Sequence, residues 1–398
     1  MVDQPDKLDL TNGSVFESRL IEWRHLLHSS PEFGFEEFIT SNFVATKLAS
    51  FGIEVVADFG KTGIVGVLRR GEGGKSIGLR ADMDALKITE LNDFPYRSQH
   101  HGLMHACGHD GHTTILLGAA EYLANSDIFN GTVYFIFQPA EEHGKGARAM
   151  IDDGLFERFD IDAVYGLHNL PGLAEGEFAI RTGAIMASES SFHIQVRGKG
   201  GHAAMPYMAV DTLYVASQIV IALQSIVSRN MNVLAEPAVV SVTEFITDGT
   251  VNVLPSEVSL KGDCRCFTDA AREKLAVAIE RIVAGICDSA GAHYEFEFEQ
   301  IFPATINHER ETGFALQAAQ DALGDDKVDG NCNRYTISED FANMLRVRPG
   351  CYGLIGNGGE AGIGCALHNP NYDFNDDILI KGVRYWVKLV ENQLDSRD

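Results

Sequence analysis

Residues 187–299 break the pattern of the chain around them. Before this stretch, β-branched strand-like runs at 63–68, 76–79, 132–137 and 163–167 alternate with helical segments, notably 113–123. Such alternation predicts an α/β domain built on a mostly parallel sheet. Inside the stretch, 191–197 alternates like a strand and 209–228 carries apolar residues at helical spacing. Runs 238–246 and 257–267 read as strands, 270–289 as a helix and 293–299 as a strand. That order, β-α-β-β-α-β, is the ferredoxin-like one. The α/β pattern then resumes. The expected organisation is therefore a small α+β domain at 187–299 inserted into a larger one formed by 1–186 and 300–398. Near the start, Ser14 and Glu17 make a capping-box pattern before Phe16, Leu20, Trp23 and Leu27, which predicts an amphipathic helix. A second helix is expected over about 36–50, ending before Gly52.

Composition narrows the function. The 398 residues, 45% hydrophobic and 22% charged, suffice for two or three folded domains. A formal charge of −24 repels phosphate backbones and anionic lipid, so neither nucleic acid nor a membrane surface is an expected partner. Seven cysteines, an odd number without regular spacing, do not read as a disulfide framework and fit a reducing compartment. Residues 1–10 are acidic and polar, unlike a signal peptide. No apolar run approaches the ~20 residues of a membrane span; the longest, 215–227, is interrupted by Ser217, Gln218, Gln224 and Ser225. A cytoplasmic protein is expected.

The densest chemical signal is Met104-His-Ala-Cys-Gly-His-Asp-Gly-His112. Cysteine, histidine and aspartate are metal-ligand types, and a loop entering a helix can aim several at one point. Taken alone, the segment fits a polar loop with a buried cysteine equally well. Three strand-like runs shift that balance, because they end in Asp82, in Glu141-Glu142 and in His168. Sites in open α/β sheets form beyond the carboxyl ends of strands. Gly74-Lys75-Ser76 imitates both a phosphate loop and a hydrolase elbow, but it enters a strand, which neither motif does.

The runs Arg80-Ala-Asp-Met-Asp-Ala-Leu86, His105-Ala-Cys-Gly-His-Asp-Gly-His112, Gln138-Pro-Ala-Glu-Glu142, Gly198-Lys-Gly-Gly-His-Ala-Ala-Met-Pro206 and Leu367-His-Asn-Pro-Asn371 together resemble the aminoacylase/hippurate hydrolase branch of the di-metal metallopeptidases. That branch includes the plant auxin-conjugate hydrolases, and the likeness runs in order along almost the whole chain. It implies a zinc-peptidase-like catalytic domain and an inserted lid that serves in dimerisation. The implied activity is hydrolysis of N-acyl amino acids to a carboxylic acid and a free amino acid. It implies two divalent metal ions per subunit, Zn²⁺ foremost, with Mn²⁺, Co²⁺ or Ni²⁺ as other occupants. Cys107, His109, Glu142, His168 and His368 match the metal ligands, with Cys107 able to bridge two ions as thiolate. Glu141 matches the general base and acid. His202 matches a histidine that reaches a neighbouring subunit's site, implying a homodimer or higher homo-oligomer. Asn252 and Arg265 resemble positions near the substrate carboxylate.

The chain also departs from that pattern. The wider clan opens its site with His-x-Asp, whereas here the stretch is Arg80-Ala-Asp82. Arginine cannot ligate a metal, so Asp82 is expected to orient a ligand imidazole instead. Tyr207 stands where many relatives have histidine, and Asp263-Cys264-Arg265 stands where Thr-Val-Arg is common. A dipeptidase or carboxypeptidase using the same site, and a non-catalytic metal-bound protein, are the competing readings; the presence of Glu141 speaks against the last. The other six cysteines are expected to be buried small hydrophobes. His105 and His112 stand open between supporting and bystander roles, and Ser338-Glu339-Asp340 reads as a helix N-terminus.

Overall fold

The computed structural model describes residues 8–359 and 365–394, so most of the 1–10 stretch read for a leader lies outside it. The chain divides into two compact units. The larger comprises 1–185, 306–333 and 340–398; the smaller comprises 186–305 and 334–339. The six residues 334–339 thus join the small unit, whereas the sequence placed them with the large one.

The large unit is built on an eight-stranded sheet. Its order is Glu54–Phe59, Gly63–Arg70, Gly131–Gln138, Ser76–Asp82, Ala163–Pro171, Gly350–Gly358, Phe178–Ala179, Val328–Asp329. The sheet is mostly parallel, as the alternation predicts, but mixed: four of its seven strand pairings are parallel and three antiparallel. The four central strands, from Gly131–Gln138 to Gly350–Gly358, pair in parallel, as do the short strands Phe178–Ala179 and Val328–Asp329 at one edge. Glu54–Phe59 and Gly63–Arg70 form a hairpin, and Gly63–Arg70 in turn pairs antiparallel with Gly131–Gln138. The tight connection decides the hairpin's direction: only three residues separate the strands, and Gly60 and Lys61 take positive φ. Ser76–Asp82 is buried at every position, as a parallel strand covered on both faces must be. Register brings Asp82 beside Gln138. His168 lies on the adjacent parallel strand, so its polar groups and those of Asp82 and Gln138 emerge at the carboxyl ends.

Helix Val15–Ser29 begins at Ser14, whose hydroxyl accepts from the Glu17 N–H at 3.1 Å; such a cap contributes about 1 kcal/mol. Its Leu20 and Trp23 join the core with Leu116 and Leu117 of His109–Ala124 and with Val383 and Trp386 of Leu379–Gln393. On its other side lies a buried charge cluster. Arg24, fully buried, meets Asp376 at 2.7 Å, Asp373 at 3.0 Å and Asp110 at 3.8 Å. His28 lies between Asp110 (2.8 Å) and Glu90 (3.2 Å).

The small unit has a four-stranded antiparallel sheet in the order Ala238–Thr247, Glu257–Cys266, Ser188–Arg197, His293–Phe302. Helices Thr212–Ser225 and Asp269–Ala290 are capped by Asp211 and Thr268. They share one core with the sheet, built on Phe192, Ile194, Leu260, Ile219, Leu275 and Ile279. This is the ferredoxin-like arrangement that the order of elements predicts. The two edges differ. Ala238–Thr247 exposes Val239, Phe245 and Ile246, while His293–Phe302 exposes His293, Glu295, Glu297 and Glu299 in alternation. Among the described residues, no helix is long and apolar enough to cross a membrane. All seven cysteines are free, six of them buried.

Candidate metal centre

The loop before helix His109–Ala124 supplies the first donors. Gly108 is the residue preceding the helix, at φ +95°, and a Cβ there would lie 2.3 Å from Asn169 Oδ1 and 2.6 Å from Tyr372 Oη. Only glycine lets this loop turn into the helix against those two groups. Cys107 and His109 then face His168 from the neighbouring strand, with the ligand atoms of all three within 4.8 Å of one another. Cys107 Sγ lies 3.5 Å from His168 Nε2.

The turn after Gly131–Gln138 supplies the carboxylates. Ala140 adopts a left-handed conformation at φ +50°, and Glu141–His143 forms a single tight turn behind it. Glu142 groups with Cys107 and His368, and both glutamates group with His109. Glu142 Oε1 is 3.4 Å from His368 Nε2 and 3.9 Å from His109 Nε2. His368 is itself at φ +63°, with its N–H bonded to Ala106 O at 2.8 Å. Its side chain is 52% exposed, unlike the other donors.

Hydrogen bonds fix which atoms are left bare. His109 Nδ1 bonds Asp84 through the carbonyl (2.9 Å) and the carboxylate (3.2 Å), and His168 Nδ1 donates to Asn169 O at 2.6 Å. Each ring therefore presents Nε2 inward. His109 Nε2 and Glu142 Oε1 are buried with no hydrogen-bond partner. Orphaned polar atoms at full burial are costly unless something binds them, and a sulfur, three imidazoles and a carboxylate form a donor set suited to Zn²⁺ or a neighbouring transition ion.

The electrostatics describe a donor cluster crowded with carboxylates. Burial, then Glu142, Glu141 and Asp82, push the Cys107 thiol well up. Against the pull of burial, Asp82, Asp84 and Glu142 raise His109 to about 10. Burial and the neighbouring His112 hold His168 well below its ordinary value. A cation entering here has to displace protons from Cys107 and His109.

Asp82 behaves differently from its expected role. Its carboxylate accepts from His112 Nδ1 at 2.6 Å and Arg80 at 2.7 Å, and stands 3.7 Å from His109 Nε2. The carboxylate that orients His109 is Asp84, which also accepts the Glu142 N–H at 3.1 Å. It lies two residues further along the same motif, just past the end of strand Ser76–Asp82, and this second aspartate was the available signal. His112 proves to be a bridge, bonding Asn169 Oδ1 at 2.8 Å as well as Asp82. His105 is buried with neither ring nitrogen bonded, and burial lowers it to about 4. Asp340 is not chiefly a cap: its side chain accepts from Arg80 (3.1 Å), Gln138 (2.7 Å) and the Ala147 N–H (2.9 Å).

The remaining candidates belong to the small unit. His202 lies on the short strand Gly201–His202, paired with Val253–Leu254, and its exposed ring accepts from the Ala204 N–H at 3.1 Å. Asn252 is exposed in the turn before Val253, and its carbonyl accepts from Ala203 N–H. Arg265 has all three guanidinium nitrogens engaged: Nε with Asp263 (2.9 Å), Nη2 with Glu189 (2.8 Å) and Nη1 with Ser338 (2.8 Å).

Comparison with known proteins places this geometry. The chain is 42% identical over 366 residues to hippurate hydrolase from Campylobacter jejuni, covering 92% of this chain and 94% of that one. It is 37% identical to an N-acetyl-L-cysteine deacetylase from Bacillus subtilis, covering 97% and 91%. A solved Bacillus subtilis structure, described as a dinuclear metal binding peptidase from the M20 family, superposes with a TM-score of 0.82 at 32% identity, covering 95% of this chain and 98% of that one. Residues 78–392 match the Peptidase family M20/M25/M40, and the chain belongs to that family.

Proposed function

We propose that the protein is a metal-dependent amidohydrolase that cleaves N-acyl amino acids to a carboxylic acid and a free amino acid. The observation that carries this is the convergence of Cys107, His109, His168, Glu142 and His368, with bare buried donor atoms, beside the buried carboxylate of Glu141. Similarity to a hippurate hydrolase over nearly the full chain supports the substrate class. Divalent cations held by those five residues would supply Lewis acidity, polarising the amide carbonyl and making water a stronger acid.

The protein's own groups do the rest. Glu141 is positioned by the Asp340 N–H at 3.4 Å from Oε1 and is shielded from solvent. It takes a proton from the attacking water and returns one to the leaving nitrogen, without which the amine is a poor leaving group. His202 would donate to the oxyanion that develops on the carbonyl, an interaction worth ~3 kcal/mol at comparable sites. Its family counterpart acts on a neighbouring subunit, so the reading includes a homodimer joined through the small unit. Support for that comes from the apolar residues Tyr214 and Ile221 exposed on helix Thr212–Ser225, together with the Ala238–Thr247 edge. Asn252 is retained as a substrate contact. Arg265 fits such a role less well, since a guanidinium already holding two carboxylates offers little to a third. The unpaired cysteines support a reducing, cytoplasmic setting.

A second reading has a specific basis. The chain is 35% identical to a thermostable carboxypeptidase from Saccharolobus solfataricus over 92% of its length. A panel of benzoyl, acetyl and indoleacetyl amino acids beside dipeptides, run on protein reconstituted with Zn²⁺ or Mn²⁺, separates the two. Acyl amino acids should be turned over at least ~10-fold more efficiently, a difference of about 1.4 kcal/mol in transition-state binding. Preference for dipeptides sinks the amidohydrolase reading.

A further inference from the structure

Glu37 is a fully buried carboxylate that the metal centre described above does not use. It ends the segment that leads into helix Phe38–Ser50 and spends both oxygens on distant partners. Oε1 accepts the Ala140 N–H at 2.8 Å, and Oε2 accepts the Thr62 hydroxyl at 2.6 Å. The backbone around it is locked as well. Glu32 of the same segment accepts the N–H groups of Ile39 and Thr40 at 3.0 and 2.8 Å. A Cβ on Gly34 would lie 2.6 Å from the His143 ring and 3.0 Å from Ala140 Cα, so the segment is pressed against the glutamate turn.

Ala140 is where that turn is decided. It is a non-glycine residue at φ +50°, fully buried, and the next two residues are Glu141 and Glu142. Left-handed backbone at an alanine persists only where its surroundings hold it. The surroundings here are the Glu37 bond to its N–H and the Gly146 N–H bond to its carbonyl at 3.1 Å. Burial and the nearby Asp84 carboxylate raise Glu37 to about 7, so it approaches neutrality without losing either bond. A protonated carboxyl still accepts from an amide and can donate to a hydroxyl.

We propose that Glu37 is a positioning residue: through the Ala140 N–H it holds the strained turn that aims Glu141 and Glu142, and its reach rather than its charge does this. The proposal rests on reading Glu142 as a metal ligand and Glu141 as the proton carrier.

Glu37→Gln and Glu37→Asp separate reach from charge. Glutamine keeps an oxygen for Ala140 and an amide for the Thr62 hydroxyl but carries no charge; aspartate keeps the charge and falls one methylene short. Thr62→Val removes the second bond and leaves the first. Each variant is titrated with Zn²⁺ against a competing chelator, and kcat and KM are measured on the reconstituted enzyme. Outer groups that orient ligands typically cost ~10–100-fold when lost, so Glu37→Asp should weaken Zn²⁺ affinity and lower kcat by at least ~10-fold, with KM within ~3-fold. Glu37→Gln should hold both within ~3-fold of wild type, and so should Thr62→Val even though its thermal midpoint falls. Active aspartate with impaired glutamine overturns the proposal, because charge would then be what matters. Equal damage in all three variants, or none in any, overturns it too. Wild-type protein that retains no Zn²⁺ against the chelator is a separate pattern, and it removes the metal reading together with this one.

Discussion

The candidate groups of the two units are held in opposite ways. In the large unit, His109 and His168 are buried and bonded through Nδ1, and the Glu142 backbone is bonded to Asp84. The donor atoms are thus fixed before any cation arrives, and little ordering entropy remains to be lost on binding. In the small unit, His202 and Asn252 are exposed and anchored mainly through main-chain bonds of a short hairpin. The His202 ring has one local hydrogen bond, from the Ala204 N–H, and both side chains are open to solvent. On the proposed reading, the groups that would hold ions are prebuilt, and those that would meet a transient charge are exposed.

The most severe test of the prebuilt side is Cys107→Ala. A methyl group cannot replace a thiolate ligand, so bound metal should drop and activity should vanish while circular dichroism stays native. Full metal content by elemental analysis would show that the sulfur is not a ligand. The two adjacent glutamates sharpen the same point. Glu142→Ala should deplete metal, whereas Glu141→Gln should keep it and lose at least ~10²-fold in kcat. Equal metal loss in both would erase the division between holding ions and moving protons.

The free side calls for a mixing experiment. Glu141→Gln and His202→Ala homodimers should each be nearly inactive. After verified subunit exchange, half the dimers are mixed, and each mixed dimer has one whole site if His202 serves its partner. About a quarter of wild-type activity should return under two-fold symmetry. No recovery would place His202 within its own chain's chemistry or outside it.

The smallest expected effect concerns the brace beneath the metal loop. Against the pull of burial, bonds to Asp110 and Glu90 raise His28 to about 9. A folded value above the unfolded one stabilises fully below pH ~6.5, and that stability is lost as pH rises toward 9. The thermal midpoint should therefore fall across that window, by the equivalent of up to ~3 kcal/mol. His28→Asn should flatten the profile while leaving metal content unchanged at pH 6. A wild-type midpoint flat from pH 6.5 to 9 would mean that His28 is neutral in its pair.

The candidate donors could be named from the sequence because they sit in short runs, and strand-like segments leading to Asp82 and His168 marked where those runs meet. The inserted βαββαβ order was legible because alternation and helical spacing are local signals. What escaped was support supplied from far along the chain. Glu37 reads as one of two acids at a helix start, and nothing near it signals a bond to Ala140, 103 residues away. Asp340 read as a cap because its Arg80 partner lies 260 residues off. The antiparallel hairpin at one edge of the sheet escaped for a related reason. Direction depends on connections, and the strand Glu54–Phe59, only half-buried, lacks the apolar alternation that would have announced a hairpin.

The unlike edges of the small unit's sheet bear on how large an assembly can grow. Unpaired strand edges invite neighbours, and a molecule with two welcoming edges can add copies without end. Here only Ala238–Thr247 presents apolar side chains. His293–Phe302 meets any newcomer with Glu295, Glu297 and Glu299, and a second copy would bring the same three charges. Pairing across the apolar edge uses up that edge in both copies and leaves two mutually repelling rims outward. Were copies to associate through this sheet, the assembly would therefore terminate at two chains instead of propagating as a fibre.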